Sequence, residues 1–306
     1  MDAPSFDRDV VIVGGGPTGC SAGVFVSRYG LDAALFDRGN SSLRRCAHLE
    51  NYLGFPGGID VETLYDLMHA HAREAGCDIV PEMVVSVDRP EGEETGFVVE
   101  TQEGRRVTAA RVVAASRYDG EYLRPLGGDE MFTTYEDDAE EYFDLDYADD
   151  DGRTPVDGLY VAAPAGEHNW QAITSAAHGA RVARTLVGDV RTAAGYPESM
   201  ASRVDWVRRE ATLEDEWEDR DRWREWFDGR VPDDHGLDDE RLTELREADV
   251  DRRLATYISE AEVRSRSERG LRRLVETLGP ERVLDAVDDE RIRDYLGDGR
   301  DASRSN

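Results

Sequence analysis

Val10-Val11-Ile12-Val13-Gly14-Gly15-Gly16-Pro17-Thr18-Gly19 is the stretch on which the reading of this chain turns. The apolar run over residues 9–13 predicts a strand that the glycines stop, and Ala22, Val24, Phe25 and Val26 then continue into a helix closing near Gly30. Residues 33–36 predict the next strand, ending on Asp37. A strand, a Gly-rich turn, a helix and a strand within about 30 residues form the context that a dinucleotide fingerprint requires. Gly14, Gly16 and Gly19 give G-x-G-x-x-G: the first allows the tight turn, the second lets backbone approach a pyrophosphate, and the third lets helix meet strand. Pro17 and Thr18 fall in the first helical turn, where free N–H groups and the helix dipole favour an anion. Asp37 lies about 20 residues on, at the place that binds ribose hydroxyls. The plain alternative is a Gly-rich turn with no ligand, and NAD competes with FAD for the slot.

Outward from this unit, Asp60 predicts an N-cap, with Leu64, Leu67, Met68 and His71 on one helix face and Gly76 as the stop. Residues 84–87, 97–101 and 107–115 read as strands, residues 158–162 as another, and residues 171–186 as a helix. Between them, residues 129–151 are acidic and aromatic and read as a loop or linker. After Gly188 the chain becomes charged and helical, carrying Trp206, Trp217, Trp223, Trp226 and Phe227. These aromatics read as packing within their own domain, a partner-binding face being the alternative. Later helices carry Leu242, Leu245, Leu254 and Ile258, then Leu271, Leu274, Val275 and Leu278 before a Gly279-Pro280 stop.

The surface chemistry is extreme. Sixty-seven acidic residues face 37 basic ones for a formal net charge of -30, and all the basic residues are Arg. Such a field repels nucleic-acid phosphates and anionic lipids, so neither nucleic acid nor membrane is an expected partner. Carboxylates spread over a whole chain keep a protein hydrated where salt screens their repulsion, which points to a halophilic cytoplasm. No apolar stretch reaches membrane-spanning length, and Asp7, Arg8 and Asp9 precede the first apolar run, so a soluble cytoplasmic protein is expected. Cys20, Cys46 and Cys77 are odd in number and widely spaced. They predict neither a disulfide framework, nor a zinc site, nor a paired redox motif. His69 and His71, two apart on a helix, do not predict a shared metal.

Three separated motifs carry a family resemblance: Glu50-Asn51-Tyr52-Leu53-Gly54-Phe55-Pro56-Gly57-Gly58-Ile59, the strand at residues 112–115, and Gly158-Leu159-Tyr160-Val161-Ala162 followed by Trp170-Gln171-Ala172-Ile173-Thr174-Ser175-Ala176. Over residues 9–128 and 157–188 the chain resembles the low-molecular-weight thioredoxin reductases, FAD-dependent pyridine nucleotide-disulfide oxidoreductases. The resemblance implies FAD as the cofactor. It also implies that Asn51 lies along the flavin and ribityl chain, and that Gln171 and Ala172 face the pyrimidine edge of the isoalloxazine. It brings Cys46 near the flavin as a candidate redox thiol, against the ordinary reading of a lone cysteine as inert packing. It makes His168 a candidate for touching flavin or substrate, against a surface loop histidine. Cys20 is expected to pack at the start of the first helix.

The departures limit what is carried over. In the family an NADPH-binding domain with its own Gly-rich loop and a redox C-x-x-C separates the two halves of the FAD domain, whereas residues 129–156 alone occupy that place here. Ala163-Pro164 replaces the family's Gly-Asp, and Ala115-Ser116 its Thr-Gly. The fold expected is α/β, a Rossmann-like, three-layer (ββα) FAD-binding domain over residues 1–188 with an acidic linker at 129–156. A C-terminal all-helical extension (189–297) and a disordered tail (298–306) follow. The function expected is that of an FAD flavoprotein oxidoreductase lacking the usual NADPH site and dithiol. Its electrons come from a redox protein or a small-molecule donor, and a homodimer is the family's habit. The alternative is a catalytically silent FAD-binding or interaction protein using the acidic helices.

Overall fold

Strand β1 (Arg8–Val13) is buried on both faces: Val10 and Ile12 belong to one apolar cluster and Val11 and Val13 to another, as the two-residue period of a strand dictates. The protein, seen here in a computed structural model, is described for residues 5–92, 95–116, 120–134, 141–144, 146–163, 171–202 and 206–302. It divides into two compact units, Met1–Tyr257 and Ile258–Asn306.

In the first unit, β1 leads through the glycine turn into α1 (Pro17–Tyr29) and β2 (Ala33–Phe36); α2 (Val61–Glu74) and β3 (Asp78–Val80) follow. Then come β4 (Val84–Asp88), β5 (Phe97–Thr101), β6 (Arg106–Ala115), β7 (Leu159–Ala163) and α3 (Ala172–Ala193). The seven strands form one sheet in the order β3-β2-β1-β6-β5-β4, with β7 also on β6. β3, β2, β1, β6 and β7 are mutually parallel, whereas the three strands β4-β5-β6 form an antiparallel meander.

The ten residues of β6 divide one edge between two neighbours. Its first half, Arg106 to Ala109, pairs with β5, and its second half, Val112 to Ala115, with β7. On one face, Val10, Ile12, Leu35, Val113 and Ala162 meet α1 and α3 through Ala22, Val26, Val182 and Leu186. On the other, Val11, Phe36, Val112 and Val161 meet Phe97, Val99, Met131 and Phe143. This is the Rossmann-like α/β arrangement predicted.

Two segments differ from expectation. The acidic stretch read as a loop carries a short antiparallel pair, Phe132–Thr134 with Glu141–Phe143, and its Met131 and Phe143 are buried. The aromatic and thioether side chains interspersed among the carboxylates supply an apolar face that charge counting conceals. The change of composition at Gly188 falls inside α3, which runs on to Ala193. Beyond it, Tyr196, Met200, Phe227 and Leu245 form a further buried cluster within the same unit, drawing on α4 (Arg220–Asp228) and α5 (Asp239–Leu254). Trp223 is buried and stands 4.5 Å from Trp217, whereas Trp206 is exposed.

In the second unit, α6 (Glu260–Leu278) ends at Gly279-Pro280 as predicted, and Leu271 and Leu274 are exposed. The helix Asp289–Ala302 continues past Asp298, where a disordered tail was expected, its start favoured by Asp289 and Glu290 in the first turn. Residues 303–306 lie outside the described residues. Among the described residues no helix is long and apolar enough to cross a membrane.

Candidate dinucleotide site

The turn between β1 and α1 is built so that only glycine fits at its ends. Gly14 has φ +120°, and a Cβ there would lie 2.5 Å from the carbonyl oxygen of Ala115 at the end of β6. A Cβ on Gly19 would collide with the carbonyl oxygen of Gly14, so the first turn of α1 can sit against the loop only without a side chain. Gly16 is the N-cap residue with no side chain to cap the helix, and Pro17 opens the first turn. The N–H groups of Thr18 and Gly19 thus start a helix whose first turn has no intrahelical acceptors, the arrangement that receives phosphate. The Ser41 hydroxyl faces Gly16 from the segment after β2.

Asp37 ends β2 as predicted, but it is buried and engaged. Its Oδ1 accepts from Gly39 N at 2.9 Å and its Oδ2 from the Tyr65 hydroxyl at 2.7 Å, with His69 Nε2 3.4 Å away. His69 Nε2 also lies 3.1 Å from the Gly15 carbonyl oxygen. Burial raises the Tyr65 hydroxyl well above its ordinary range, and the bond to Asp37 adds to this, so Tyr65 stays a proton donor to the carboxylate. The Arg44 guanidinium lies 4.5 Å from the centre of the Tyr65 ring. In the sequence Tyr65 is not singled out, and His69 is weighed only as a metal ligand. The available signal was their four-residue spacing on α2, which sets both on one face.

The Glu50-Asn51 motif is held at its base by the two-residue ladder His48↔Asp60 and Leu49↔Ile59, and Asp60 caps α2 by accepting from Thr63 N at 2.9 Å. Leu43, Leu49, Ile59, Leu64 and Tyr65 form an apolar cluster that Ala172, the first residue of α3, packs against. This packing brings the first and third of the three motifs together across 120 residues of chain: Asn51 Nδ2 donates to Gln171 Oε1 at 2.8 Å. Gln171 is the N-cap residue of α3, and its backbone carbonyl accepts from the Thr174 hydroxyl at 2.8 Å.

The thiols separate by environment. Cys20 is buried in α1, its Sγ 3.3 Å from the Gly15 carbonyl oxygen, and burial raises its pKa far above the ordinary thiol range. Cys77 is also buried, and burial pushes it up to about 11. Cys46 is exposed. His168, Trp170 and Pro164 lie outside the described residues. Ser116, at the family's Thr-Gly position, donates its hydroxyl to the Tyr122 oxygen at 3.0 Å.

The sheet order and the glycine turn define an α/β fold of the Rossmann type. Residues 8–144 match the model of the pyridine nucleotide-disulphide oxidoreductase family, and part of that segment is similar to thioredoxin reductases. The thioredoxin reductase of Streptomyces clavuligerus is 36% identical over 84 residues, 26% of this chain and 26% of the relative. That of Aquifex aeolicus is 26% identical over 127 residues, 40% of this chain and 39% of the relative. The chain therefore matches between a quarter and two fifths of the length of these relatives. The solved thioredoxin reductase of Gloeobacter violaceus shares the fold, with a TM-score of 0.52 at 18% identity over 67% of this chain and all of that one.

Proposed function

We propose that the chain is an FAD-binding oxidoreductase whose flavin seat lies between the Gly14–Gly19 turn and the Asn51–Gln171 pair. The single observation that carries this reading is the 2.8 Å hydrogen bond joining Asn51 to Gln171. Two motifs assigned separately to the flavin meet at one place. The glycine turn fits a pyrophosphate, since its close approaches leave no side chain over the first N–H groups of α1.

In this reading Thr18 and Gly19 donate backbone N–H groups to phosphate oxygens. Asp37 retains one lone pair on each carboxylate oxygen for a ribose hydroxyl, while Tyr65 and Gly39 hold its orientation. Gln171 accepts from Asn51, which leaves its own amide N–H groups and the Asn51 carbonyl to bond the polar edge of the ring system. FAD, when bound, supplies the two-electron chemistry, and the protein supplies seat and field. The electrons come from a redox protein or a small reduced substrate. Residues 129–156 hold no second Gly-rich loop, and the three cysteines include no C-x-x-C.

The test is the visible spectrum of the purified protein after incubation with FAD, followed by addition of NADPH, NADH or dithionite. The expected result is a bound flavin that dithionite bleaches and NADPH does not. Asn51→Ala and Gln171→Ala, both at exposed positions, should each weaken FAD about three- to tenfold. A folded protein that takes up no FAD overturns the oxidoreductase reading, and rapid bleaching by NADPH overturns the missing nicotinamide route.

A further inference from the structure

Within the first unit, remote in sequence from the glycine turn, a cavity of about 290 Å³ gathers five guanidinium groups, those of Arg191, Arg208, Arg230, Arg252 and Arg253. Among the described residues lining it, Asp249 is the one carboxylate. In a chain of net charge -30 this is a local reversal of sign. Arg191 is the decisive member, because its side chain is only 1% exposed. Its Nη2 donates at 3.0 Å to both Asp249 Oδ1 and the Met200 carbonyl, and its guanidinium carbon lies 3.8 Å from the centre of the Tyr196 ring. Its Nε and Nη1 are buried with no hydrogen-bond partner among the described residues, and so is Nη1 of Arg252.

A buried guanidinium N–H without an acceptor is costly, and a protein has no reason of stability to keep several beside one cavity. Asp249 does not resolve this. Its Oδ2 is taken by Arg253 Nε at 2.6 Å, so one carboxylate is shared between two guanidinium groups. What is missing is an acceptor with several oxygens and more than one negative charge, the chemistry of a phosphate group held by Arg forks.

The body of the ligand is constrained as well. Trp226 lines the cavity, but Arg253 and Arg230 lie 4.0 and 3.8 Å from its ring centroid, so its faces are not offered to a base. The volume is at the lower end of small-molecule sites. We propose that this pocket binds the phosphate group of a small non-aromatic phosphate monoester, with Arg191 and Arg252 as its principal donors. The proposal stands whether or not the chain binds FAD.

The test titrates the full chain with glycerol 3-phosphate and with inorganic phosphate at constant ionic strength set by chloride, reading tryptophan fluorescence and melting temperature. Saturable binding and a rising melting temperature are expected for both, with the ester tighter. Arg252→Gln should weaken binding at least about tenfold without lowering the melting temperature of the unliganded protein, because it removes an unpaired buried donor. Arg230→Gln, at an exposed position, should weaken it less. Absence of saturable binding by either probe at millimolar concentration overturns the proposal. So does tighter binding of citrate than of glycerol 3-phosphate, which would make the site a carboxylate pocket, and so does unchanged affinity in Arg252→Gln.

Discussion

Replacing Asp249 by Ala should be among the most damaging single changes in the first unit. Its carboxylate faces Arg191 across a pair whose side chains are 1% and 5% exposed, so solvent compensates little of the charge left behind. Removing one member of such a buried pair costs about 3–5 kcal/mol, since the other is left uncompensated. The second partner, Arg253, is a third exposed, and its share is screened and small. At roughly 2–4 °C per kcal/mol for a domain of 150–250 residues, the expected fall in melting temperature is on the order of 6–20 °C. The assay is thermal unfolding followed by circular dichroism at fixed molar salt. A paired Arg191→Met, Asp249→Leu variant is the control. With no buried charge left, it should recover most of the loss. A fall of only one or two degrees in Asp249→Ala would refute the argument, showing that water reaches Arg191.

Native protein at mildly alkaline pH should lose one thiol rapidly to iodoacetamide, the exposed Cys46, whereas Cys20 and Cys77 react only on unfolding, because burial holds both as thiols. Mass spectrometry that finds Cys20 labelled first would contradict the packing of α1. Glu247 is held down to about 2 by hydrogen bonds from Arg224, reinforced by Arg220. Because its folded pKa is depressed, its contribution is complete above the ordinary value of 4.5 and is lost as pH falls toward 2. Glu247→Gln should accordingly flatten that part of the acid-unfolding curve measured by fluorescence. Lowering salt from molar to millimolar concentration should lower the melting temperature, since 67 carboxylates then repel one another unscreened, and an unchanged value would count against a salt-adapted surface.

Much of the first half of the chain was legible because its signals are local. The run from Val10 to Gly19 encodes strand, turn and helix through the alternation of buried valines and the steric demands of two glycines, and Asp60 announces α2 by its capping chemistry. The meeting of Asn51 with Gln171 was legible only through resemblance, since no periodicity links residues 120 apart. The engagement of Asp37 was not legible. It depends on how α2 is rotated over β2, which sets Tyr65 and His69 onto the carboxylate. Nor was the Arg191 pocket. In a composition dominated by acidic residues, Arg191 reads as another solvated charge, and its burial arises from the packing of Tyr196, Met200 and Asp249 around it.

The shared edge of β6 has a bearing on how such chains are assembled. The polypeptide leaves β6 at Ala115 and re-enters the same sheet at Leu159, which stands beside Val112. Exit and return are therefore only a few strand spacings apart, about 10–15 Å. Both are pinned by parallel pairing to strands already in place. The segment spliced between them bears on the sheet through those two fixed ends and through Met131 and Phe143, which cover one of its faces. The junction works as a socket: its two ends hold the register of the strands, while the insert supplies the apolar cover of that face.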